Sequence, residues 1–243
     1  MRKVFLPVLL SLALLFGVFI GKGFAAVSDY AGVYTGTYDG VDRGRWVINV
    51  KANGACYIGG WSDAHQMADY LIDDINANGE ILYPWANGDY VYFNISLDGS
   101  AYGEFGNVRD NVVFFLGTGH KNNPDQVAAY AGSYEGAVSG DVTGTVYFKV
   151  HEDGSLSGSA SIDNEQDIML GVGTVTGGGE VFAVAEDGTV FSGSIDSSGR
   201  MSGQWQNYYW NTSGPVSATL EGAADNGDGG GGGGGCFIST LKF

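Results

Sequence analysis

The stretch YAGVYTGTYDG at residues 30–40 returns as YAGSYEGAVSG at residues 130–140. The correspondence continues downstream without a gap. Most of the matching residues are glycine or aromatic, the types that fix turns and fill cores. Further pairs at the same offset are Gly54 and Gly154, Gly79-Glu80 and Gly179-Glu180, Gly88 and Gly188, Ile95 and Ile195, Gly103 and Gly203, and Phe105 and Trp205. A repeat of this length predicts a duplicated structural unit.

Within each unit, apolar residues recur at every second position. The residues expected on the apolar face of one strand are Trp46, Ile48 and Val50 in the first copy and Val146, Phe148 and Val150 in the second. This period is typical of half-buried antiparallel strands. Asn-Gly and Asp-Gly pairs, which suit tight hairpins, separate the strands. The pattern predicts about six to eight strands per unit.

The fold class predicted is therefore all-β, with two tandem antiparallel meander units of small-barrel or sandwich type. The units are expected at residues 26–122 and 127–222, joined by the polar stretch KNNPD at 121–125. Inward glycines such as Gly103 and Gly203 favour a tightly curved barrel, where larger side chains collide.

One segment carries a competing signal. Apolar residues between Ala64 and Ile75 fall at helical spacing, which allows a short helix in the first copy. The aligned stretch of the second copy contains Gly171 and Gly173, and glycine disfavours a helix interior. We therefore predict a strand here in both copies.

Residues 1–25 have the features of a secretory signal peptide. Arg2 and Lys3 precede an apolar run from Val4 to Ile20, and small residues surround a cleavage site after Ala25. The alternative is an uncleaved membrane anchor, for which the apolar run is short. We expect an exported protein of the extracellular space or the cell envelope.

The charge of the chain is strongly acidic. It has 11 Lys and Arg residues against 27 Asp and Glu residues, a net charge of −16. Removing residues 1–25 takes away Arg2, Lys3 and Lys22, which leaves 8 basic against 27 acidic residues and a net charge of −19. Such a charge repels nucleic acid and anionic lipid, so nucleic acid is not an expected partner.

The composition changes again in residues 223–243. Gly229–Gly235 is unbroken glycine, typical of a flexible linker, and CFISTLKF follows at residues 236–243. This end resembles the CFI-box C-terminal segment of exported bacterial proteins, in which a glycine- or serine-rich linker precedes Cys-Phe-Ile-x-Thr. The family's Ala-Ala-Tyr-Gly continuation is replaced from Leu241 onwards, so we expect a truncated segment. The resemblance implies a bacterial envelope protein with a sorting or processing tail, and the body is similar to glycine-rich β-repeat modules of such proteins.

No motif for catalysis, for a metal or for a cofactor stands out. The histidines, His65, His120 and His151, lack the spacing of zinc ligands, and no serine lies in a Gly-x-Ser-x-Gly elbow. We predict no catalytic residue, no metal ligand, no cofactor and no enzymatic activity.

Cys236 is the candidate processing or attachment residue, because a thiol on a linker is accessible; the alternative is an unmodified thiol or an intermolecular disulfide. Cys56 is expected to be buried in a strand. A set of aromatic residues forms the candidate ligand-contact strip, and cross-strand packing is the alternative role for it. The set comprises Tyr90, Tyr92, Tyr147, Tyr208, Tyr209 and Trp210.

These observations favour a non-enzymatic secreted or cell-envelope β-repeat protein that acts through binding or surface structure. The alternative function is a lipocalin-like carrier of a small hydrophobic ligand. A glycan, a small apolar ligand and an envelope protein are the candidate partners. The barrel interior discriminates between the two functions: side chains that fill each barrel favour the first, and an apolar cavity favours the second.

Overall fold

The computed structural model describes residues 25–162 and 167–222. It is all-β, as predicted, with eight antiparallel strands in each copy of the repeat and one short helix, α1 (Pro124–Val127), between them. The first copy contains β1 (Gly32–Gly40), β2 (Gly44–Val50), β3 (Ala55–Ser62), β4 (Met67–Asp74), β5 (Glu80–Pro84), β6 (Asp89–Ile95), β7 (Ser100–Asn107) and β8 (Val112–Lys121). The second contains β9 (Gly132–Val138), β10 (Gly144–Val150), β11 (Leu156–Ile162), β12 (Ile168–Val175), β13 (Glu180–Ala185), β14 (Val190–Ile195), β15 (Arg200–Asn207) and β16 (Thr212–Leu220).

Both copies are up-and-down meanders whose first and last strands pair. The second copy is a closed eight-stranded barrel, because β9 pairs with β16 and every consecutive pair is hydrogen-bonded. The first copy has the order β4-β3-β2-β1-β8-β7-β6-β5, so its cylinder is complete except between β4 and β5. The architecture is thus a pair of small barrels, one closed and one split along a single seam. We call the gap between β4 and β5 the seam.

The segment with the competing helical signal is a strand in both copies, which confirms the prediction. β4 pairs with β3 over its whole length, from Met67 to Asp74. In the second copy, Gly173 lies against the side chains of Ala183 and Leu156, where an added Cβ would collide. Glycine is needed there by the packing of a strand.

One end of each barrel is closed by a tyrosine. A 3₁₀ turn at Val27–Tyr30 places Tyr30 in the first core, and a second turn at Ala128–Tyr130 places Tyr130 against the second core. The hydroxyl of Tyr34 donates to the carbonyl of Tyr30 at 2.7 Å, and that of Tyr134 to Tyr130 at 2.8 Å. The opposite end carries the β1–β2 connection in the first barrel and the β9–β10 connection in the second.

The two barrels pack side by side through their outer faces. Apolar residues from β1 to β4 meet apolar residues of β12 to β14 in one buried cluster: Val33, Val47, Trp61, Ala68, Val172, Phe182, Val184 and Val190. Gly59 lies in the contact, where a Cβ would collide with Val172 and Val184. The Arg45 guanidinium lies 4.4 Å from the centre of the Phe182 ring.

This contact changes one expectation. The alternating pattern of β2 predicted a half-buried strand, but β2 is buried from Trp46 to Val50 on both faces. The reason is that Val47, on the outer face, is covered by the second barrel. A sequence pattern within one unit does not reveal what a neighbouring unit covers.

Candidate ligand-binding site

The first barrel contains a cavity of about 470 Å³. It lies at the end opposite Tyr30 and is reached from the β1–β2, β3–β4 and β5–β6 connections, which contribute Val41, His65 and Trp85 to its lining. Its walls come from inward residues of most strands of the first copy, and most of the lining surface is apolar. This volume lies in the range of small-molecule sites.

One side of the cavity borders the seam. β4 and β5 are consecutive in the chain and joined by the short connection at residues 75–79, yet no ladder joins them. In the second barrel the equivalent strands pair from Leu170 with Ala185 to Val175 with Val181. The cavity is lined by Leu71 on β4, by Trp85 directly after β5 and by Val91 on β6.

The two barrels also differ in the size of several inward side chains. At the offset of one hundred, four bulky residues of the first copy meet small ones in the second, whereas Ile48, Val91 and Ala101 meet the larger Phe148, Phe191 and Met201. The pairs are Tyr38 and Val138, Trp46 and Val146, Trp85 and Ala185, and Phe93 and Gly193. On the last strand Phe115 lies opposite Phe105 and Gly214 lies opposite Trp205, so Gly214 is the small counterpart of Phe115. Small residues let the second wall curve tightly, and a buried cluster around Phe148, Phe191 and Trp205 occupies its interior.

Several of these rings touch one another in series. The Tyr38 and Phe115 rings stack at 4.5 Å, Phe115 and Phe105 stack at 4.8 Å, and Trp85 meets Phe105 edge-on at 6.0 Å. Trp46 and Phe93 form a separate pair at 5.1 Å. We call these six residues (Tyr38, Trp46, Trp85, Phe93, Phe105 and Phe115) the aromatic wall.

The Trp46 indole packs directly against glycine residues of two strands. A Cβ added at Gly36 or Gly119, on β1 and β8, would collide with the Trp46 indole. The indole N–H of Trp46 is buried and has no hydrogen-bond partner among the described residues. The site therefore holds one unpaired donor beside an apolar wall.

Two of the three carboxylates that line the cavity are already paired. Asp42 accepts the backbone N–H groups of Arg43 at 2.6 Å and Ala64 at 3.1 Å. Partial desolvation opposes ionisation of Asp42, but its hydrogen bonds outweigh that and lower its pKa. Glu104 points to the outer face of the barrel, where it accepts the hydroxyls of Tyr90 at 2.8 Å and Tyr102 at 2.9 Å.

Asp69 is the third carboxylate. It lies on β4 opposite Gly60 and lines the cavity beside the seam. Water in the cavity reaches its side chain, but protein surrounds it, and this desolvation raises the pKa of Asp69. No hydrogen bond or ion pair to Asp69 occurs within the described part of the chain. The cavity thus combines an aromatic wall with one unpaired carboxylate.

The structure places the predicted aromatic strip in three separate locations. Tyr90 and Tyr92 lie outside the first barrel, in a shallow depression of about 290 Å³ with Leu82 and Val108. Tyr147 lies on the outer surface of the second barrel, where its hydroxyl meets Ser133 Oγ at 3.1 Å.

The other members of the set form the connection between β15 and β16. Tyr208, Tyr209 and Trp210 are all more than half exposed there. None of the six residues of the set lines the large cavity. Tyr209 packs beside Gly188, close to the backbone of Ala68, so this connection lies near β4 of the first barrel.

Of the two cysteines, the structure describes only Cys56. Cys56 is fully buried, as predicted, and its thiol contacts the Gly54 carbonyl at 3.4 Å. Burial raises the pKa of the Cys56 thiol to about 12, so it is not a reactive thiol at neutral pH. Cys236 lies outside the described residues.

Among residues 25–162 and 167–222, no group of three or more His, Cys, Asp or Glu side chains is arranged to hold a metal ion. None of the helices in that part of the chain is long and apolar enough to cross a bilayer.

Comparisons with known proteins assign no family to this chain. No family model matches the chain, and no curated protein is significantly similar in sequence. The crystal structure of the isotype 1 transferrin binding protein B from serogroup B Neisseria meningitidis aligns with a TM-score of 0.27 and 10% sequence identity. The alignment covers 74% of this chain and 52% of that chain, so this chain spans about half the length of that structure. A likeness at this level has no bearing on function.

Sequence reasoning left open whether one barrel contains a cavity, and it did not single out Asp69. A signal was nevertheless present, because several inward positions of the repeat differ in size or charge between the two copies. Asp69 stands where the second copy has Met169, and Trp46 stands where it has Val146. Comparing the volumes of aligned inward residues would have identified the first unit as the one with the unusual interior.

Proposed function

We propose that this protein binds a small, largely apolar molecule inside its first barrel and acts as a carrier or receptor for it. The observation that supports the proposal is the cavity of about 470 Å³ behind the aromatic wall. An open apolar interior supports the small-ligand carrier, which the sequence analysis gave as the alternative function.

The closed barrel serves in this proposal as a support. Val172, Phe182 and Val184 brace the outer faces of β2 to β4, next to the seam. An unpaired edge strand such as β4 is otherwise prone to pair with another chain. A fixed β4 keeps the cavity open without a ladder to β5. The function proposed is binding, and catalysis has no part in it.

The experiment is calorimetric titration of the protein with a naphthalene-based probe, compared with two variants. Val91→Phe adds volume to a residue that lines the cavity, whereas Leu116→Phe adds the same ring to an exposed position on β8. We expect one site per chain, affinity reduced at least about tenfold by Val91→Phe, and affinity unchanged by Leu116→Phe. Equal affinities in all three proteins would refute binding in the cavity.

We also propose that the mature protein is exported and begins at Ala26. The backbone N–H of Ala26 donates to Asp29 Oδ2 at 2.9 Å, at the start of the 3₁₀ turn that carries Tyr30. Cleavage after Ala25 turns that N–H into a cationic amine beside the Asp29 carboxylate and leaves the turn intact. N-terminal sequencing of secreted material tests this, and a chain that still begins at Met1 would contradict it.

A further inference from the structure

We propose that the ligand of the first barrel is an organic cation, an ammonium group attached to an apolar body, and that Asp69 pairs with its charge. This inference rests on the proposed function and specifies the class of its ligand. It is drawn from the charges that line the cavity, from their partners and from the aromatic wall.

The lining of the cavity is acidic. Asp42 and Asp69 line it, and Glu104 borders it but points to the outer face of the barrel. Besides His65, no basic side chain belongs to its described lining. The two arginines nearest along the chain point elsewhere: Arg43 pairs with Asp39 at 3.1 Å on the surface, and Arg45 lies over Phe182 between the barrels. An anionic ligand would meet carboxylates with no counter-charge, which costs binding free energy.

The carboxylates also differ in whether they already have hydrogen-bond partners. Asp42 is held by two backbone N–H groups and Glu104 by two tyrosine hydroxyls, so both are occupied in shaping the barrel. Asp69 has no such partner within the described residues, and it faces the cavity. Asp69 is open to water on its cavity side and otherwise surrounded by protein, so its charge is only partly solvated, and a ligand cation in the cavity can pair with it.

The aromatic wall suits the same ligand. The faces of aromatic rings carry negative electrostatic potential and attract cations, most strongly in tryptophan. Trp46 and Trp85 belong to a lining that also provides apolar contacts for an attached hydrocarbon. The net charge of −16 draws cations towards the protein at longer range. Ring faces, unpaired carboxylate and overall field thus agree in sign.

Three probes with the same body and different charges test the inference. They are 1-naphthylmethylammonium, the neutral 1-naphthalenemethanol and the anion 1-naphthoate, titrated calorimetrically at neutral pH and moderate salt. We expect the ammonium to bind about tenfold or more tightly than the alcohol, and the naphthoate to bind most weakly. Asp69→Asn should remove the preference for the ammonium and leave the affinity for the alcohol within about twofold.

The matched control is Asp74→Asn. It removes the same charge from the same strand, but Asp74 lies on the exposed outer side of β4. If Asp69 acts by direct pairing, Asp74→Asn keeps the preference. Equal loss in both variants would mean that only the overall field matters and would overturn the pairing.

The outcomes also separate this inference from the proposed function. Binding of the alcohol in the cavity without any preference for the ammonium would overturn the inference and leave the carrier function standing. Failure of all three probes to bind would overturn both. Melting curves of each variant without ligand verify that it is folded.

Discussion

The hydroxyl of Tyr34 donates a hydrogen bond to the carbonyl of Tyr30 at 2.7 Å, and Tyr134 repeats the bond to Tyr130 at 2.8 Å. Each bond joins the first strand of a barrel to the turn that closes its end. Burial raises the pKa of Tyr34 to about 12 and also raises that of Tyr134, so both hydroxyls stay protonated as donors at neutral pH.

Replacing either tyrosine with phenylalanine should therefore destabilise the fold. Tyr34→Phe and Tyr134→Phe each leave a carbonyl without its partner, and we expect the free energy of unfolding to fall by about 1 kcal/mol. The measurement is urea denaturation followed by far-UV circular dichroism. Tyr208→Phe is the control, because Tyr208 is exposed in a connection. A control loss as large as that of Tyr34→Phe would contradict the role of the bond.

The two barrels should respond differently to loss of the aligned aromatics Phe105 and Trp205. Trp205 is buried, and its indole N–H donates to the Ser139 carbonyl at 3.0 Å. We expect Trp205→Ala to cost about 3–5 kcal/mol, as for other buried large aromatics. Phe105 already borders a cavity, so Phe105→Ala removes fewer contacts and should cost about half as much or less.

The same denaturation experiment measures both variants. The comparison is informative because position and strand are equivalent in the two copies. Equal losses would show that the interior of the first barrel is as tightly packed as that of the second.

The repeat made most of the fold predictable. Glycine pairs such as Gly54 with Gly154, and Gly79 with Gly179, adopt positive φ in turns of both copies, so the sequence alone located the hairpins. The period of two assigned Trp46 and Val146 to the interior. Turn glycines and the period of two are local features of the sequence, and their recurrence in both copies supports the same strand assignment in each.

Closure of the barrels was not predictable in this way. Whether β4 pairs with β5 depends on the total volume of side chains that distant strands bring into one interior. The exposure of Asp69 to the cavity depends on that non-local sum, and the burial of Val47 depends on the contact with the second barrel. No single segment of the sequence contains this information.

Cys56 should be inert in the folded protein. Its thiol is fully buried, and burial raises its pKa to about 12, so little thiolate forms and reagents have no access. In a Cys236→Ser variant, which leaves Cys56 as the sole cysteine, we expect no maleimide labelling in native buffer and complete labelling in denaturant. Mass spectrometry reads the result, and rapid labelling under native conditions would contradict the burial.

The tail should contribute to location and not to stability. The last backbone contact described joins the Glu221 N–H to the Ser133 carbonyl at 2.8 Å, so deletion of residues 225–243 spares the barrels. We expect the melting temperature to stay nearly unchanged. If Cys236 is the attachment point, both the deletion and Cys236→Ser should move the protein from the cell-associated fraction into the medium. Unchanged fractionation of both variants would leave the tail without an anchoring role.

Asp69 should make stability depend on pH in a particular direction. Desolvation raises its pKa in the folded protein above the ordinary value of 3.8. Between those two values the folded state binds more protons than the unfolded state, so this residue adds stability as the pH falls through that window. Above the window the ionised carboxylate is a cost. Below the ordinary value both states are protonated, and the contribution no longer changes.

Asp69→Asn removes this dependence. We expect the variant to be more stable than the parent protein at pH 7, with an advantage that shrinks as the pH is lowered through the raised pKa of Asp69. The other titratable groups that line the cavity are Tyr38, Asp42, His65 and Glu104, and both proteins retain them, so the difference between the two urea curves isolates Asp69. Asp74→Asn, on the outer side of the same strand, should show no such convergence. An advantage that stays constant from pH 7 to pH 4 would contradict a desolvated Asp69, and with it the unpaired carboxylate on which cation binding depends.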